Sequence, residues 1–282
     1  YYKHYLLYYF IMFKNKNILI TGGTSGLGKN LAFNFCKNGA KIINIARDID
    51  NLKLVNKQLN YINNLNHLYY STDISKYDNI LEIKDDLNKK NIIPDIIINN
   101  AAGNFLCPFE NLTKNGWNRI IDIVLNGSFN IYHIFGKELI SSNKSAVFLN
   151  ISTTYSSTGS ALVIPSSVAK AGVDNMIRGL TVEWSKYNIR FVGIAPGPIE
   201  NSGGSKKLDP FNIFTYYNMS NNPKKRSCHP NEISDLAMFL VSSKADYING
   251  QIINIDGGET VKNSGEFNFI TNIPFYQKLI KK

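Results

Sequence analysis

Seven short apolar runs punctuate the chain: NILIT (17–21), KIINIA (41–46), HLYYS (67–71), DIIIN (95–99), AVFLNI (146–151), IRFVGIA (189–195) and QIINID (251–256). They are apolar throughout rather than alternating, the pattern of strands covered on both faces. The stretches between them are long enough for helices. Such strand–helix alternation predicts a parallel, doubly wound α/β sheet of about seven strands, a Rossmann-type fold. No Gly/Ser-rich or Pro-rich linker divides the chain, so a single domain is expected over residues 13–270. An N-terminal extension (1–12) precedes it and a C-terminal tail (271–282) follows. Residues 200–230 break the pattern, being rich in Asn, Ser, Lys and Gly with Pro210 and Pro223. A loop this long inside a compact domain predicts a substrate lid. Leu180, Val182 and Trp184 together predict a packed helix face.

Composition narrows the function classes. The 282 residues are 44% hydrophobic, enough for a sizeable core. No run of 18 apolar residues occurs, so no membrane span is expected. Cys36, Cys107 and Cys228 lie far apart, which is neither a disulfide framework nor a zinc motif and suggests a reducing compartment. His4, His67, His133 and His229 form no H-x-x-x-H pair, so no metal site is expected. Thirty-one Lys and Arg against 21 Asp and Glu give a net charge of +10. The basic residues are dispersed and Asn, Lys, Ile and Tyr are abundant everywhere, so the charge is read as compositional bias and no nucleic-acid partner is expected.

The first apolar run leads directly into Thr21-Gly22-Gly23-Thr24-Ser25-Gly26-Leu27-Gly28, and a helical stretch follows. Glycines there let the chain turn sharply and let backbone N–H groups approach a pyrophosphate, whose charge the helix N-terminus favours. Gly22, Thr24, Ser25, Gly26 and Leu27 are therefore candidate dinucleotide-binding residues. The second run ends Ile45-Ala46-Arg47-Asp48. Ala46 stands where an acid would bond the ribose hydroxyls of NAD, and the guanidinium of Arg47 suits a 2′-phosphate. The expected cofactor is NADP(H).

Further motifs sharpen this. The T-G-x-x-x-G-x-G loop, Asn99-Asn100-Ala101-Ala102-Gly103 after the fourth run, and Pro196-Gly197-Pro198-Ile199 after the sixth resemble the short-chain dehydrogenase/reductase family over about residues 13–270. The resemblance implies that Asp73 contacts the adenine, that Asn100 and Ala101 support the cofactor, and that Pro196, Gly197, Pro198 and Ile199 close over the nicotinamide carboxamide. Most members carry Tyr-x-x-x-Lys; here Ser166 precedes Lys170. A serine hydroxyl is a far poorer proton donor than a phenol. AAGNF (101–105), ISTTY (151–155), PSSVAK (165–170), LNG (125–127), DGGE (256–259) and SGEFN (264–268) together resemble the family's 2,4-dienoyl-CoA reductases. The last two favour the mitochondrial type, while AAGNFLCP (101–108) resembles the peroxisomal type, which lacks a tyrosine at the Tyr155 position.

That resemblance implies a site. Tyr155 and Asn104 would donate hydrogen bonds to a thioester oxygen, and Lys170 would hold the nicotinamide ribose. Ser166 would keep the hydrogen-bond position vacated by tyrosine, and Asn126 would position Lys170 through water. Phe105 and Lys207 would contact an acyl-CoA substrate, although Ser75, Glu200 and Ser202 stand where related members carry basic residues. The implied activity is NADPH-dependent reduction of 2,4-dienoyl-CoA to 3-enoyl-CoA in unsaturated fatty acid β-oxidation. A reductase of keto groups such as 3-ketoacyl thioesters, and a non-catalytic NADP(H)-binding scaffold, are the alternatives. The resemblance also implies a homotetramer. The chain starts at Tyr1 rather than Met, with Met12 an alternative start and residues 1–13 a candidate end of a targeting sequence. It ends LIKK, without the peroxisomal tripeptide. A mitochondrial location is expected, with the cytoplasm as the alternative.

Overall fold

Five of the seven apolar runs become strands buried along nearly their whole length, because helices cover both sides of them. The computed structural model describes residues 12–200, 209, 213, 216, 217, 221–273 and 275. Its strands are β1 (Asn17–Thr21), β2 (Lys41–Ala46), β3 (Leu68–Ser71), β4 (Ile96–Asn99), β5 (Ala146–Ile151), β6 (Ile189–Pro196) and β7 (Gln251–Ile255). They form one seven-stranded sheet in the order β3-β2-β1-β4-β5-β6-β7, every pairing parallel. The α/β domain expected from the sequence is the one observed.

The helices are α1 (Gly26–Lys37), α2 (Ile49–Ile62), α3 (Tyr77–Lys89), α4 (Lys114–Ile121), α5 (Gly127–Ser141), the short α6 (Tyr155–Thr158), α7 (Ile164–Trp184), α8 (Pro230–Val241) and α9 (Glu259–Ser264). Successive strand side chains point to opposite faces. Ile18 and Ile20 of β1 therefore pack with α1, α2 and α8, while Leu19 between them packs with α3, α5 and α7. On the second face Phe148 stacks on Phe191 at 4.8 Å, and Tyr132 of α5 meets Phe148 edge-on at 5.4 Å.

Two expectations from the apolar pattern need correcting. β3 and β7 are half-exposed because they are the edges of the sheet and lack a neighbour on one side. Val182 is 83% exposed, whereas Leu180 and Trp184 pack against the core. A step of two residues turns about 200° around a helix, so Val182 cannot share their face. No helix among the described residues is long and apolar enough to cross a membrane.

Phe148→Ala removes a ring packed between Tyr132 and Phe191 and leaves a cavity. The expected loss is about 3–5 kcal/mol of stability, to be read from equilibrium denaturant unfolding.

Candidate active site

In an open parallel sheet, ligands bind beyond the carboxyl ends of the strands, where the strand order reverses. Here that point lies between β1 and β4, and a cleft of about 1790 Å³ opens there. Gly22, Thr24, Ser25, Gly26 and Leu27 line it, as do Arg47, Asp73, Asn100 and Ala101. Pro196, Gly197, Pro198 and Ile199 line it from the β6 side.

The glycine loop is shaped by close backbone approach. Gly22 has φ +70°, and a Cβ on Gly28 would stand 2.2 Å from the Gly22 carbonyl oxygen. Ser25 precedes α1 in extended conformation and makes no side-chain cap. The first N–H groups of α1 thus keep their donor capacity for a ligand. Asp48 accepts from the N–H groups of Asp50 and Asn51 and caps α2, which holds its carboxyl below the usual range. Arg47 makes no side-chain ion pair among the described residues. An uncapped helix start, a loop that excludes Cβ atoms and a free guanidinium fit a dinucleotide with a 2′-phosphate. A smaller annexe of about 300 Å³ continues past Arg47 and Asp73, lined also by Ser75, Lys76 and Arg119.

A ladder of buried polar side chains crosses the sheet beneath the cleft. The Thr21 hydroxyl is 3.4 Å from Asn99 Oδ1. Asn99 Nδ2 donates to Asn150 Oδ1 at 3.1 Å, its register partner on β5. Asn150 Nδ2 reaches Asp174 Oδ1 on α7 at 3.4 Å. Thr21 Oγ1 also accepts from the N–H groups of Asn100 and Ala101, and Asn100 Nδ2 donates to the Thr21 carbonyl, each at 3.0 Å. The β4 loop is thereby tied to the glycine loop. Sequence reading has Thr21 only as the first residue of the glycine motif and does not single out Asn150 or Asp174. The faint signal for Asp174 is its place one helical turn beyond Lys170, on the same face.

The other end of the cleft gathers Asn104, Phe105, Tyr155, Ser166 and Lys170. Asn104 Nδ2 donates to the Tyr155 hydroxyl at 3.2 Å. The phenol oxygen accepts there, so its own proton stays free for another acceptor. Ser166 Oγ lies 3.4 Å from the same hydroxyl, and Asn104 Oδ1 accepts the Phe105 N–H at 2.9 Å. Tyr155 opens α6, and Ser166 sits inside the first turn of α7 rather than capping it. Phe105 rests near Gly116 of α4 at the cleft wall. Lys170 is 6% exposed and its ammonium donates to the Ile151 carbonyl. Burial pushes its pKa down to about 8, against the pull of Asp174 in the opposite direction.

One expected site residue is displaced. Asn126 does not line the cleft; it is exposed and its amide donates to Asp122 at 2.8 Å. The reason is the π-helical turn Asp122–Asn126, which interrupts the 3.6-residue period. Val124 is the residue that faces α7, packed with Ile120 and Ala169. A water relay from Asn126 to Lys170 is therefore not what the structure presents. Lys207 and most of the expected lid lie outside the described residues.

Against known proteins, residues 22–260 match the family model described as enoyl-(acyl carrier protein) reductase. The chain belongs to the short-chain dehydrogenase/reductase family. Among its relatives is a probable 2,4-dienoyl-CoA reductase [(2E)-enoyl-CoA-producing] of Bacillus subtilis, 39% identical over 250 residues, 87% of this chain and 97% of that one. A probable 2,4-dienoyl-CoA reductase [(3E)-enoyl-CoA-producing] of Caenorhabditis elegans is 34% identical over 90% of this chain and 83% of its own length. A crystal structure of a short chain dehydrogenase from Bacillus anthracis superposes with a TM-score of 0.82 at 39% identity, covering 88% of this chain and 97% of that one. Family membership makes this chain an oxidoreductase.

Two outcomes follow from the geometry. Gly28→Ala drives a methyl group into the Gly22 carbonyl and weakens binding of a reduced nicotinamide dinucleotide at least about tenfold, measured by nucleotide fluorescence, since a 1.4 kcal/mol loss suffices for that factor. Lys170 carries its charge below about pH 8 and loses it above. If the cation is required, kcat/KM declines as pH rises through that value, because this ratio reports the free protein.

Proposed function

We propose that this chain is an NADPH-dependent 2,4-dienoyl-CoA reductase, producing a 3-enoyl-CoA. The observation that carries the reading is the Asn104–Tyr155 hydrogen bond, set in the cleft beside Ser166 and Lys170. Reduction of a simple ketone ends in an alkoxide and needs an acid to protonate it. Reduction of a conjugated dienoyl thioester adds hydride at the far end of the diene and moves the charge to the thioester oxygen, where hydrogen-bond donors suffice. A proton taken from water at the α carbon completes the 3-enoyl product. Asn104 and Tyr155 present an amide N–H and a phenol O–H for that purpose, and Ser166 cannot serve as the acid.

The nicotinamide supplies hydride when bound. The chain's residues do the rest. The glycine loop and the start of α1 receive the pyrophosphate, Arg47 receives the 2′-phosphate, and Lys170 holds the nicotinamide ribose while its charge favours the anionic intermediate. Phe105 lines the acyl path. Arg47, Lys76 and Arg119, around the annexe, suit phosphates of the nucleotide and of coenzyme A. The relatives named as 2,4-dienoyl-CoA reductases support the substrate class. A homotetramer and a mitochondrial location belong to the same proposal.

The test mixes pure protein, NADPH and a short 2,4-dienoyl-CoA and follows NADPH absorbance. Turnover is expected, with acetoacetyl-CoA much slower; the reverse order, or turnover no higher than in Tyr155→Phe, would sink the reading. Tyr155→Phe should lower kcat about 10²–10³-fold, the usual cost of one lost oxyanion donor. Arg47→Ala should weaken NADPH binding about 10–100-fold and leave NADH unchanged, as expected for a charge-assisted contact of about 1.5–3 kcal/mol.

A further inference from the structure

Asp174 is a buried carboxylate, 4% exposed, that the reaction as described above does not use. Its Oδ2 accepts from Ser152 Oγ at 2.7 Å and lies 2.6 Å from Ser156 Oγ, while Oδ1 meets the Asn150 amide at 3.4 Å. These partners come from two elements. Ser152 follows the end of β5, and Ser156 is the residue after Tyr155 in α6. Ser152 also follows Ile151, whose carbonyl accepts from the Lys170 ammonium. Besides a long Ser152 Oγ to Ser156 Oγ contact of 3.4 Å, Asp174 is the side chain that joins Ser152 to Ser156 among the described residues.

We propose that Asp174 is a positioning residue for the reaction: its carboxylate orders the segment 151–156, which holds the acceptor of Lys170 at one end and Tyr155 at the other. The proposal rests on the reading of Tyr155 and Lys170 as the reacting pair. The physical case has two parts. Ser156 has alternatives for its single proton, the Asp174 carboxylate and the Thr153 carbonyl at 2.8 Å, and without the carboxylate it keeps only that local turn and a long contact of 3.4 Å with Ser152 Oγ. Hydrogen bonds to a carboxylate are shorter and about twice as strong as neutral ones, so Asp174, with the Ser167 hydroxyl that donates to the Tyr155 carbonyl at 2.9 Å, sets where α6 sits against α7. That placement sets the Tyr155 hydroxyl relative to Asn104 and Ser166.

The second part is charge. Asp174 lies one helical turn beyond Lys170, and both are buried on α7. The titratable groups set against the carboxylate are Lys170 on its own helix and the Tyr132 phenol of α5. The β5 and α6 partners, Asn150, Ser152 and Ser156, are uncharged. An ammonium held in so dry a place depends on a nearby negative charge to stay protonated. One carboxylate therefore serves both members of the pair.

The experiment compares Asp174→Asn, Asp174→Glu and Ser156→Ala with the parent protein. Thermal unfolding confirms folding, and kcat, KM and the pH dependence of NADPH binding are read on each. Ser156→Ala should lower kcat at least about tenfold with KM for NADPH unchanged, because Arg47 and the glycine loop are remote. Asp174→Asn should lower kcat and move the alkaline midpoint of NADPH binding down by about one pH unit or more. Asp174→Glu should lower kcat while keeping the midpoint, since it retains charge and alters reach. Folded variants with parental kcat and an unmoved midpoint overturn the proposal. Should Asp174→Asn fail to fold, Ser156→Ala with parental kcat, together with parental kinetics in Asp174→Glu, overturns it instead. A parent protein that reduces no dienoyl thioester sinks the proposed function. In that case the binding midpoint in Asp174→Asn still decides the role of Asp174.

Discussion

A continuous run of buried hydrogen bonds from Thr21 through Asn99 and Asn150 to Asp174 and Ser156 underlies the rest of the site. Polar groups taken out of water cost free energy unless each finds a partner, and a half-satisfied network is worse than none. Here each member answers the next across three adjacent strands and into α7. The glycine loop at one end and the Tyr155 turn at the other are thereby held to one frame. The two ends of the cleft are fixed relative to each other by side chains that do not line it.

Legibility followed sequence distance. The strands were readable because parallel strands covered on both faces are apolar without alternation, and their ends agree with the structure to within a residue. The glycine loop was readable because its chemistry is local: a turn, a close approach and a helix start lie within Thr21–Gly28. Tyr155 and Asn104 were readable only through the subfamily motifs, since their contact spans 51 residues. Asn126 was misplaced because a single π turn shifts every later residue around the helix axis, and Asp122–Asn126 carries no glycine or proline to announce it. Asp174 escaped notice for a different reason. A carboxylate on a helix reads as solvent-facing, and only the fold brings Ser152 and Ser156 to it.

The exchange of tyrosine for serine ahead of Lys170 makes physical sense once Tyr155 is placed. Two phenols converging on the thioester oxygen of the proposed substrate would crowd each other. A serine at position 166 leaves room and still lies 3.4 Å from the Tyr155 hydroxyl. The amide of Asn104 then completes the arrangement: by donating to the phenol oxygen, it favours the rotamer in which the phenol donates elsewhere. Donors of this kind act because they are in place before charge develops, so they need no reorganisation as it does.

Preorganisation of that sort is difficult on a short turn. α6 has four residues, too few to hold itself by backbone hydrogen bonding, and nucleating so short a helix is unfavourable in isolation. Its order must come from tertiary contacts. The Ser167 hydroxyl takes the Tyr155 carbonyl at 2.9 Å and the Asp174 carboxylate takes Ser156, so α7 holds the turn from both sides of the phenol. The long helix that lacks the expected tyrosine thus still governs the proposed reaction centre. It supplies the cation directly through Lys170 and the phenol indirectly, by gripping the backbone and the next side chain of the turn that carries it.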